Sequence, residues 1–538
     1  MDLSIVLLWT YHRTVEAMCT GIPIRPFQLS IDESQLVDLR ARLDSVRWPN
    51  NETVPGWTQG VPVAAQKELH HYWRHRYDWG SCQAWFNSYP QFIAGIDGEE
   101  IHFFHIKSKT KNALPMLLIH GWPGSVLEFR KAIEPLIDPE AYGGSKDDSF
   151  DLVIPSLPGY GWSAKPKVAG WNHQRISNAF VTLMGALGYD KWVAQGGDWG
   201  ADIVAIMANN NPPKSLVGVH MNTAFFDAHK EIVNEPTDAG EELALEKQHR
   251  FETDENAYFR LQATRPQTIA YSLADSANGQ AAWIYEKIYN WTQHTGDLHN
   301  VLTMDEVLDN IMVYWLSNSG GSSARLYWED DDNTALPISI PVGVSVFPGD
   351  QSYAPRSWGE RYYSSIVHWR DVERGGHFAA WEVPDIFVRE TAARAFLESY
   401  NQAFATRDAK CLSRTLTPDC KRDFAPPSLV ELIPSLAKGL SVAEFEKVEG
   451  ANIANHDVYV NRIRDMTVDE RERKVVIFTN RHAVYKDGRE INIPQVNTLW
   501  MTEDGMKVKR VLQFLDSLLA KNVMDDVEAK QKAEKHHA

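Results

Sequence analysis

Lys191-Trp192-Val193-Ala194-Gln195-Gly196-Gly197-Asp198-Trp199-Gly200 runs directly into Ala201-Asp202-Ile203-Val204-Ala205-Ile206-Met207, and the turn between these two stretches decides how the rest of the chain reads. A short apolar run rich in β-formers stops at a glycine pair and a helical apolar period starts at once. The spacing therefore predicts a sharp strand-to-helix corner with Asp198 on it. Gly196 and Gly200 stand two positions either side, where a larger side chain would collide with neighbouring backbone. A carboxylate presented on such a corner is a nucleophile. Where a serine there attacks carbonyl carbon, a carboxylate can attack a saturated carbon bearing a strained or good leaving group, leaving an ester that water then hydrolyses. The plainer alternative is a strand-end turn, since Asp and Gly dominate turns everywhere.

Composition narrows the class. The chain has 538 residues, enough for two or three domains with real cores. Hydrophobic content of 43% and charged content of 23% are those of a soluble globular protein. A formal net charge of -17 argues against a phosphate-binding surface, so nucleic acid is not an expected partner. Cys19, Cys82, Cys411 and Cys420 are too few for a disulfide scaffold, and no C-x-x-C or Cys/His metal spacing appears. A reducing, cytoplasmic location fits, with no metal. The apolar run in Met1-Asp2-Leu3-Ser4-Ile5-Val6-Leu7-Leu8-Trp9 is too short to span a bilayer and begins with an acid where a signal peptide is basic, so no transmembrane anchor is expected. For residues 1–25 a dispensable extension and a misplaced start both stay open.

Taken in order, the chain predicts a helix after Pro26. Ser30 with Glu33 three positions on makes a capping-box pattern, then Leu36, Leu39 and Leu43 share one face until Trp48-Pro49. A second helical stretch over 65–73 leads into Trp79, Trp85, Phe86, Pro90 and Phe92, too apolar to be solvated. Residues 26–92 read as an N-terminal arm on a larger core. Strand-like runs at 101–106, 116–120, 151–155, 191–195 and 215–220 then alternate with helical periods. This is an α/β pattern: a mostly parallel sheet covered by helices, with ligands outside the carboxyl ends of the strands. Residues 225–335 interrupt it with helical, aromatic-rich sequence where a lid would be inserted, although helix packing is the plainer use of those aromatics. Strands resume at 342–347 and 366–372, so the core occupies 93–224 and 336–400.

Beyond residue 400 the pattern changes. Residues 458–463, 474–485, 491–501 and 506–514 alternate apolar and polar, with Lys486-Asp487-Gly488 and Glu503-Asp504-Gly505 as hairpin turns. An antiparallel, curved sheet is predicted, so 401–525 is read as a separate α+β domain entered through helices near 396–412. Residues 526–538 form a polar tail.

A nucleophile on this corner needs a base downstream. Glu373-Arg374-Gly375-Gly376-His377-Phe378 places His377 in a Gly-rich loop after a predicted strand, where nucleophile-elbow hydrolases carry their histidine. Their acid follows the preceding strand, and Val346-Phe347-Pro348-Gly349-Asp350 puts Asp350 there. Asp350 would hold the imidazole while Nε2 of His377 deprotonates water. Hydrolysis passes through an oxyanion, so two amides should face the carboxylate. Leu118-Ile119-His120-Gly121-Trp122-Pro123-Gly124-Ser125 follows the neighbouring strand, which makes the Trp122 and Trp199 amides the candidate donors. A simple tight turn is the plainer reading of His120-Gly121.

Together with Ile154-Pro155-Ser156-Leu157-Pro158-Gly159-Tyr160, Gly196-Gly197-Asp198 and Gly375-Gly376-His377-Phe378-Ala379-Ala380, that loop resembles the epoxide hydrolases of the α/β-hydrolase superfamily. The likeness is closest to the microsomal and fungal branch and covers roughly residues 26–400. It implies the α/β-hydrolase fold with an N-terminal arm and a helical lid, a small-molecule epoxide and water as reactants, and no cofactor. It also implies two lid tyrosines that donate to the epoxide oxygen. The matching residues are Tyr258, in Asn256-Ala257-Tyr258-Phe259-Arg260, and Tyr327, in Ala324-Arg325-Leu326-Tyr327-Trp328. Ring opening at neutral pH requires such donors because an alkoxide is too basic to depart unaided. The residues alone would make both tyrosines lid packing, and Tyr314 and Tyr353 stand in reserve. Trp199 after the nucleophile also resembles the haloalkane dehalogenases, which lack the tyrosine pair. Asp350 stands where some relatives carry glutamate.

The C-terminal domain resembles the nuclear-transport-factor-like cone fold, shared with small polyketide cyclases, on strand order and turn placement only. Arg462, Asp457, Tyr459, His482 and Asn497 are candidates for a cone pocket, against a solvated sheet face. A homodimer through this domain is the default association. Two other functions stand beside epoxide hydrolysis: a biosynthetic enzyme in which a substrate hydroxyl opens the epoxide to a cyclic ether, and a non-catalytic binding protein on the same fold.

Overall fold

Nine strands build the sheet that carries the corner. They are β1 (Ile24–Phe27), β2 (Gln91–Ile96), β3 (Glu99–Ile106), β4 (Leu114–Ile119), β5 (Phe150–Pro155), β6 (Trp192–Gly196), β7 (Leu216–Met221), β8 (Val342–Val346) and β9 (Ile366–Asp371), in the order β1-β2-β3-β5-β4-β6-β7-β8-β9. The pairings β1–β2, β2–β3 and β3–β5 are antiparallel, and every pairing from β5 onward is parallel. The structure, a computed structural model, describes residues 21–390 apart from 112, 145–147, 210, 233–235 and 330–335, and beyond 390 only the strands given below.

The parallel part is buried on both faces, as βαβ crossovers require. β6 and β8 are buried along their whole length. Helix Trp199–Ala208 leaves the end of β6 and packs on β4, β6, β7 and helix His173–Ala186. Trp192, Phe180, Phe103 and Phe104 lie fully inside the same core. Each such side chain contributes about 1.5–3 kcal/mol, which is what can hold a strained corner against the sheet.

The arm contributes more than a wrap, because β1 and β2 are two edge strands of the sheet. Its first helix, Glu33–Asp44, is capped by Asp32, whose side chain accepts the Ser34 N–H at 2.8 Å, and not by Ser30. The Leu29 and Ile31 amides are taken by the side chains of Asn87 and Gln83, 2.9 and 3.0 Å away, so the backbone around Ser30 stays committed to helix Trp79–Phe86. Helix Val63–His75 and the turn after it then meet the lid: Gln66 donates to Asn278, and Tyr72 and Tyr77 donate to Asp305 and Asp309.

The lid is a set of helices, chiefly Ala239–Arg250, Ala257–Thr264, Pro266–Asp275, Ala277–Trp291, Met304–Leu316 and Gly320–Glu329, inserted between β7 and β8. Among the described residues no helix is long and apolar enough to cross a membrane. Past residue 390 a second sheet has the order β11-β10-β15-β14-β13-β12, with β10 (Leu416–Ala425), β11 (Leu440–Ser441), β12 (His456–Asp469), β13 (Lys474–Tyr485), β14 (Glu490–Met501) and β15 (Val508–Leu515). It is antiparallel except where β10 runs parallel to β15. The register pairs Val460 with His482 and Ile477 with Asn497, so Arg462 and His482 fall on one parity and Tyr459 and Asn497 on the other. The expected helices near 396–412, both hairpin turns, residues 1–20 and the tail lie outside the described residues.

Candidate active site

The corner after β6 is strained. Asp198 has φ 50° and ψ −134°, a conformation that costs a non-glycine residue roughly 1–3 kcal/mol. Its neighbours have no room for side chains: a Cβ on Gly196 would lie 2.2 Å from the Gly200 carbonyl oxygen, and one on Gly200 would lie 2.1 Å from that of Ile119. A Cβ on Gly121 would sit 2.1 Å from Oδ1 of Asp198. The three glycines let two loops close on the carboxylate from both sides.

The Trp122 amide donates to Oδ1 of Asp198 at 2.8 Å. Its loop is braced at each end. His120 is buried and neutral: Nδ1–H donates to the Gly121 carbonyl at 2.9 Å and Nε2 accepts the Leu157 N–H at 3.3 Å, while burial lowers its pKa to about 4. From the lid, Asn310 donates to the Pro123 carbonyl and Tyr314 to the Gly124 carbonyl, both at 2.7 Å. The Trp199 amide opens the helix on the same corner. The structure records no bond from it to the carboxylate among the described residues.

On the other side, Nε2 of His377 lies 3.3 Å from Oδ2 of Asp198, and Nδ1 lies 2.9 Å from Oδ1 of Asp350. Asp350 also accepts from the Thr223 hydroxyl at 2.8 Å and from the Gln351 amide at 2.7 Å. Burial would raise the Asp350 carboxyl, but the adjoining imidazolium and these donors outweigh it and hold it below its ordinary value. Burial would likewise lower His377, and the two flanking carboxylates raise it well above the usual histidine range. Asp198, Asp350 and His377 are thus brought into one line from the ends of β6, β8 and β9.

The two lid tyrosines stand over this line. Tyr258, from helix Ala257–Thr264, stacks on the Trp122 ring at 5.1 Å and 9°, and Tyr327, from helix Gly320–Glu329, meets it edge-on at 5.8 Å and 90°. They lie edge-to-face with each other at 5.9 Å, and Tyr327 packs on Trp199 at 4.7 Å. Both are buried. Burial, then the Asp198 charge for Tyr258 and the Tyr258 and Asp198 charges for Tyr327, raise both phenols far above their ordinary value. They therefore hold their protons at neutral pH. Tyr314 spends its hydroxyl on Gly124, and that of Tyr353 is engaged by Asp371, so neither reserve tyrosine joins the pair.

Several contributors escaped the sequence reading. Asn222 and Thr223 directly follow β7, and the rule that ligands gather at strand ends would have found them. Gln351 follows the acid, and its side chain meets Tyr258. Lys287 is buried on the apolar face of helix Ala277–Trp291, with its ammonium 4.5 Å from the centre of the Tyr258 ring and paired with Glu286 at 2.9 Å. Ile284, Lys287, Ile288 and Trp291 fall at helical spacing, so a lone cation in that stripe was the signal. Glu128 faces the same chamber beside Gly121, and burial raises its carboxyl to about 8. No group of three or more acidic, His or Cys side chains fit for a metal occurs among the described residues.

Comparison with known proteins finds likenesses along the chain. Residues 24–129 match the family described as the epoxide hydrolase N terminus, and residues 115–294 match the alpha/beta hydrolase fold. A provisionally named epoxide hydrolase of Stigmatella aurantiaca (strain DW4/3-1) is 48% identical over 68% of this chain and 83% of that protein. Epoxide hydrolase 1 of Oryctolagus cuniculus is 32% identical over 68% of this chain and 87% of its own. Among solved structures, the juvenile hormone epoxide hydrolase of the silkworm Bombyx mori is 32% identical with a TM-score of 0.63, covering 69% of this chain and 94% of that one.

Proposed function

Since this chain belongs to the epoxide hydrolases, with an α/β-hydrolase core, and acts on a small-molecule epoxide with water, we propose that Asp198, His377, Asp350, Tyr258 and Tyr327 carry the reaction. The observation behind this reading is a single carboxylate with one oxygen on the Trp122 amide, the other 3.3 Å from the imidazole, and two buried phenols above it. Oδ2 of Asp198 attacks a ring carbon and forms a C–O bond as the epoxide C–O bond breaks. Tyr258 and Tyr327 donate to the departing oxygen, which takes a proton and becomes the first hydroxyl.

Alkylation removes the charge of Asp198, one of the two anions that hold His377 protonated. His377 then gives up its proton, which restores the tyrosine that protonated the ring oxygen, and the neutral imidazole is the base the next step needs, with Asp350 keeping its orientation. Water adds to the ester carbonyl, His377 takes its proton, and the oxyanion rests on the Trp122 amide with the Trp199 amide as the second donor. Each such donor is worth roughly 10²–10³ in rate. As the acyl C–O bond breaks, the His377 imidazolium protonates the departing oxygen to release a vicinal diol, and the Asp198 carboxyl passes its remaining proton back to His377. Trp122, Trp199, Phe259, Trp291 and Tyr327 surround the reacting centre, which favours an epoxide with an apolar substituent.

Heavy-oxygen water tests the route. In a single turnover the label enters Asp198 and the diol stays unlabelled; in later turnovers the diol carries it. A diol labelled in the first turnover overturns the ester route, and an unlabelled cyclic ether identifies the biosynthetic alternative.

For residues 401–525 we propose the cone fold, in keeping with the mainly antiparallel six-stranded sheet, and, as separate proposals, a dimerisation role and a cytoplasmic location. Light scattering of the full chain tests the dimer, and a monomer at micromolar concentration removes it.

A further inference from the structure

Four consecutive amides of the histidine loop are each claimed by a partner. The Gly375 N–H donates to Oε1 of Gln293 at 2.6 Å, Gly376 to Oε2 of Glu382 at 2.8 Å, His377 to the Trp291 carbonyl at 2.9 Å, and Phe378 to Oε1 of Glu382 at 2.8 Å. Glu382 also accepts the Gln293 N–H at 2.9 Å. This buried carboxylate thus grips the loop on both sides of His377 and holds the foot of the lid helix Ala277–Trp291. The fit is tight: a Cβ on Gly376 would lie 2.4 Å from the Trp291 carbonyl oxygen and 3.0 Å from Oε1 of Glu382. The same helix end touches the reacting groups, since the Trp291 ring is 5.0 Å from His377 and 5.4 Å from Tyr258.

We propose that Glu382 is a positioning residue: it locks the histidine loop in register with the foot of the lid helix, so that Nε2 of His377 is aimed for ester hydrolysis. Burial raises the Glu382 carboxyl to about 7 against the pull of its three N–H donors and of the imidazolium beside it, and the ionised form suits the task because it accepts three N–H bonds and donates none. An amide in its place would turn an NH₂ group toward at least one of the same N–H donors. The ring-opening half-reaction uses Asp198 and the tyrosines and does not require this aim.

The inference rests on His377 being the hydrolytic base, so the experiment carries His377→Gln as a reference. Stopped-flow tryptophan fluorescence follows alkylation by a small aryl epoxide, and intact-protein mass after acid quench gives the ester-bound fraction. Glu382→Gln is expected to slow ester hydrolysis roughly 10- to 100-fold, the range of an ångström-scale misplacement. Alkylation stays within about threefold of the parent, and ester accumulates.

Equal loss in both steps, or no loss in either, overturns the proposal. If His377→Gln accumulates ester and Glu382→Gln does not, only the role of Glu382 falls. If His377→Gln accumulates none, the reading of His377 falls first. Should Glu382→Gln yield no folded enzyme, Gln293→Ala, which strips the acceptor from the Gly375 amide, is held to the same split: selective slowing of hydrolysis supports the lock, and any other outcome overturns it.

Discussion

The ring of Trp122 lies parallel to that of Tyr258, 5.1 Å and 9° apart, while the amide of the same residue donates to Asp198 at 2.8 Å. In the proposed mechanism one residue therefore serves the oxyanion with its backbone and seats a ring-opening phenol with its side chain. Trp122→Leu keeps the first role and removes the second. An aromatic stack is worth about 0.5–1.5 kcal/mol, so alkylation should slow roughly 2- to 13-fold. Ester hydrolysis should hold its rate. Single-turnover measurement of both steps checks this, and an equal fall in hydrolysis would show that the side chain also sets the amide.

The Asp350–His377 pair makes a prediction about pH. The Asp350 carboxyl is depressed, so its contribution to stability is present above the unfolded value of about 3.9 and fades as pH falls through the folded one. His377 is raised, so its contribution is complete below about 6.5 and fades as pH rises through its folded value. The stability difference between parent and Asp350→Asn should therefore peak between about pH 4 and 6.5, at roughly 3–5 kcal/mol for a broken buried pair. Urea unfolding across pH measures it; a difference that is flat from pH 4 to 9 would remove the linkage. Activity should drop by about 10⁴, because the amide no longer enforces the productive tautomer.

The elbow glycines can be tested against a glycine that has room. Gly196→Ala and Gly200→Ala place a Cβ 2.2 and 2.1 Å from the backbone oxygens of Gly200 and Ile119, which cannot move without disturbing helix Trp199–Ala208 and β4. Each should lower stability by about 3 kcal/mol or more. Gly185, in helix His173–Ala186, has nothing within 4 Å of an added Cβ, and Gly185→Ala should add about 0.5–1 kcal/mol. Chemical denaturation of the three variants decides it. An elbow alanine as stable as the parent would mean that the corner has slack.

These contrasts also separate what was legible in the chain from what was not. The corner at Asp198 and the loops at Asp350 and His377 are local patterns, each a strand followed closely by the candidate residue, and local patterns survive without coordinates. Thr223 reaches Asp350 across 127 positions, and Asn222 meets the His377 carbonyl across 155. Such contacts depend on β7 lying between β6 and β8, an order that strand–helix alternation does not specify. β1 and β2 joined the sheet edge because of partners far along the chain, and the first helix began at Asp32 because Gln83 and Asn87 claimed the backbone before it. Tyr258 and Tyr327 pack as lid aromatics would, so only the family resemblance distinguished them. The structure adds their shared placement around Trp122.

The phenols yield the sharpest kinetic prediction. Burial and the nearby Asp198 charge keep both tyrosines protonated, so each is able to donate throughout the neutral range. A donor matters in proportion to the negative charge that builds on the departing oxygen. Tyr258→Phe and Tyr327→Phe should each slow alkylation by roughly 10² and leave ester hydrolysis unchanged, because that step breaks an acyl bond at the other end of the carboxylate. The loss should be larger for an alkyl epoxide than for an aryl epoxide, whose benzylic carbon shares the developing positive charge and lets the C–O bond break with less help. Comparing the two substrates by stopped-flow for parent and both variants tests this. A loss equal for both substrates, or one that appears in hydrolysis, would mean that the tyrosines shape the pocket and do not protonate the leaving oxygen.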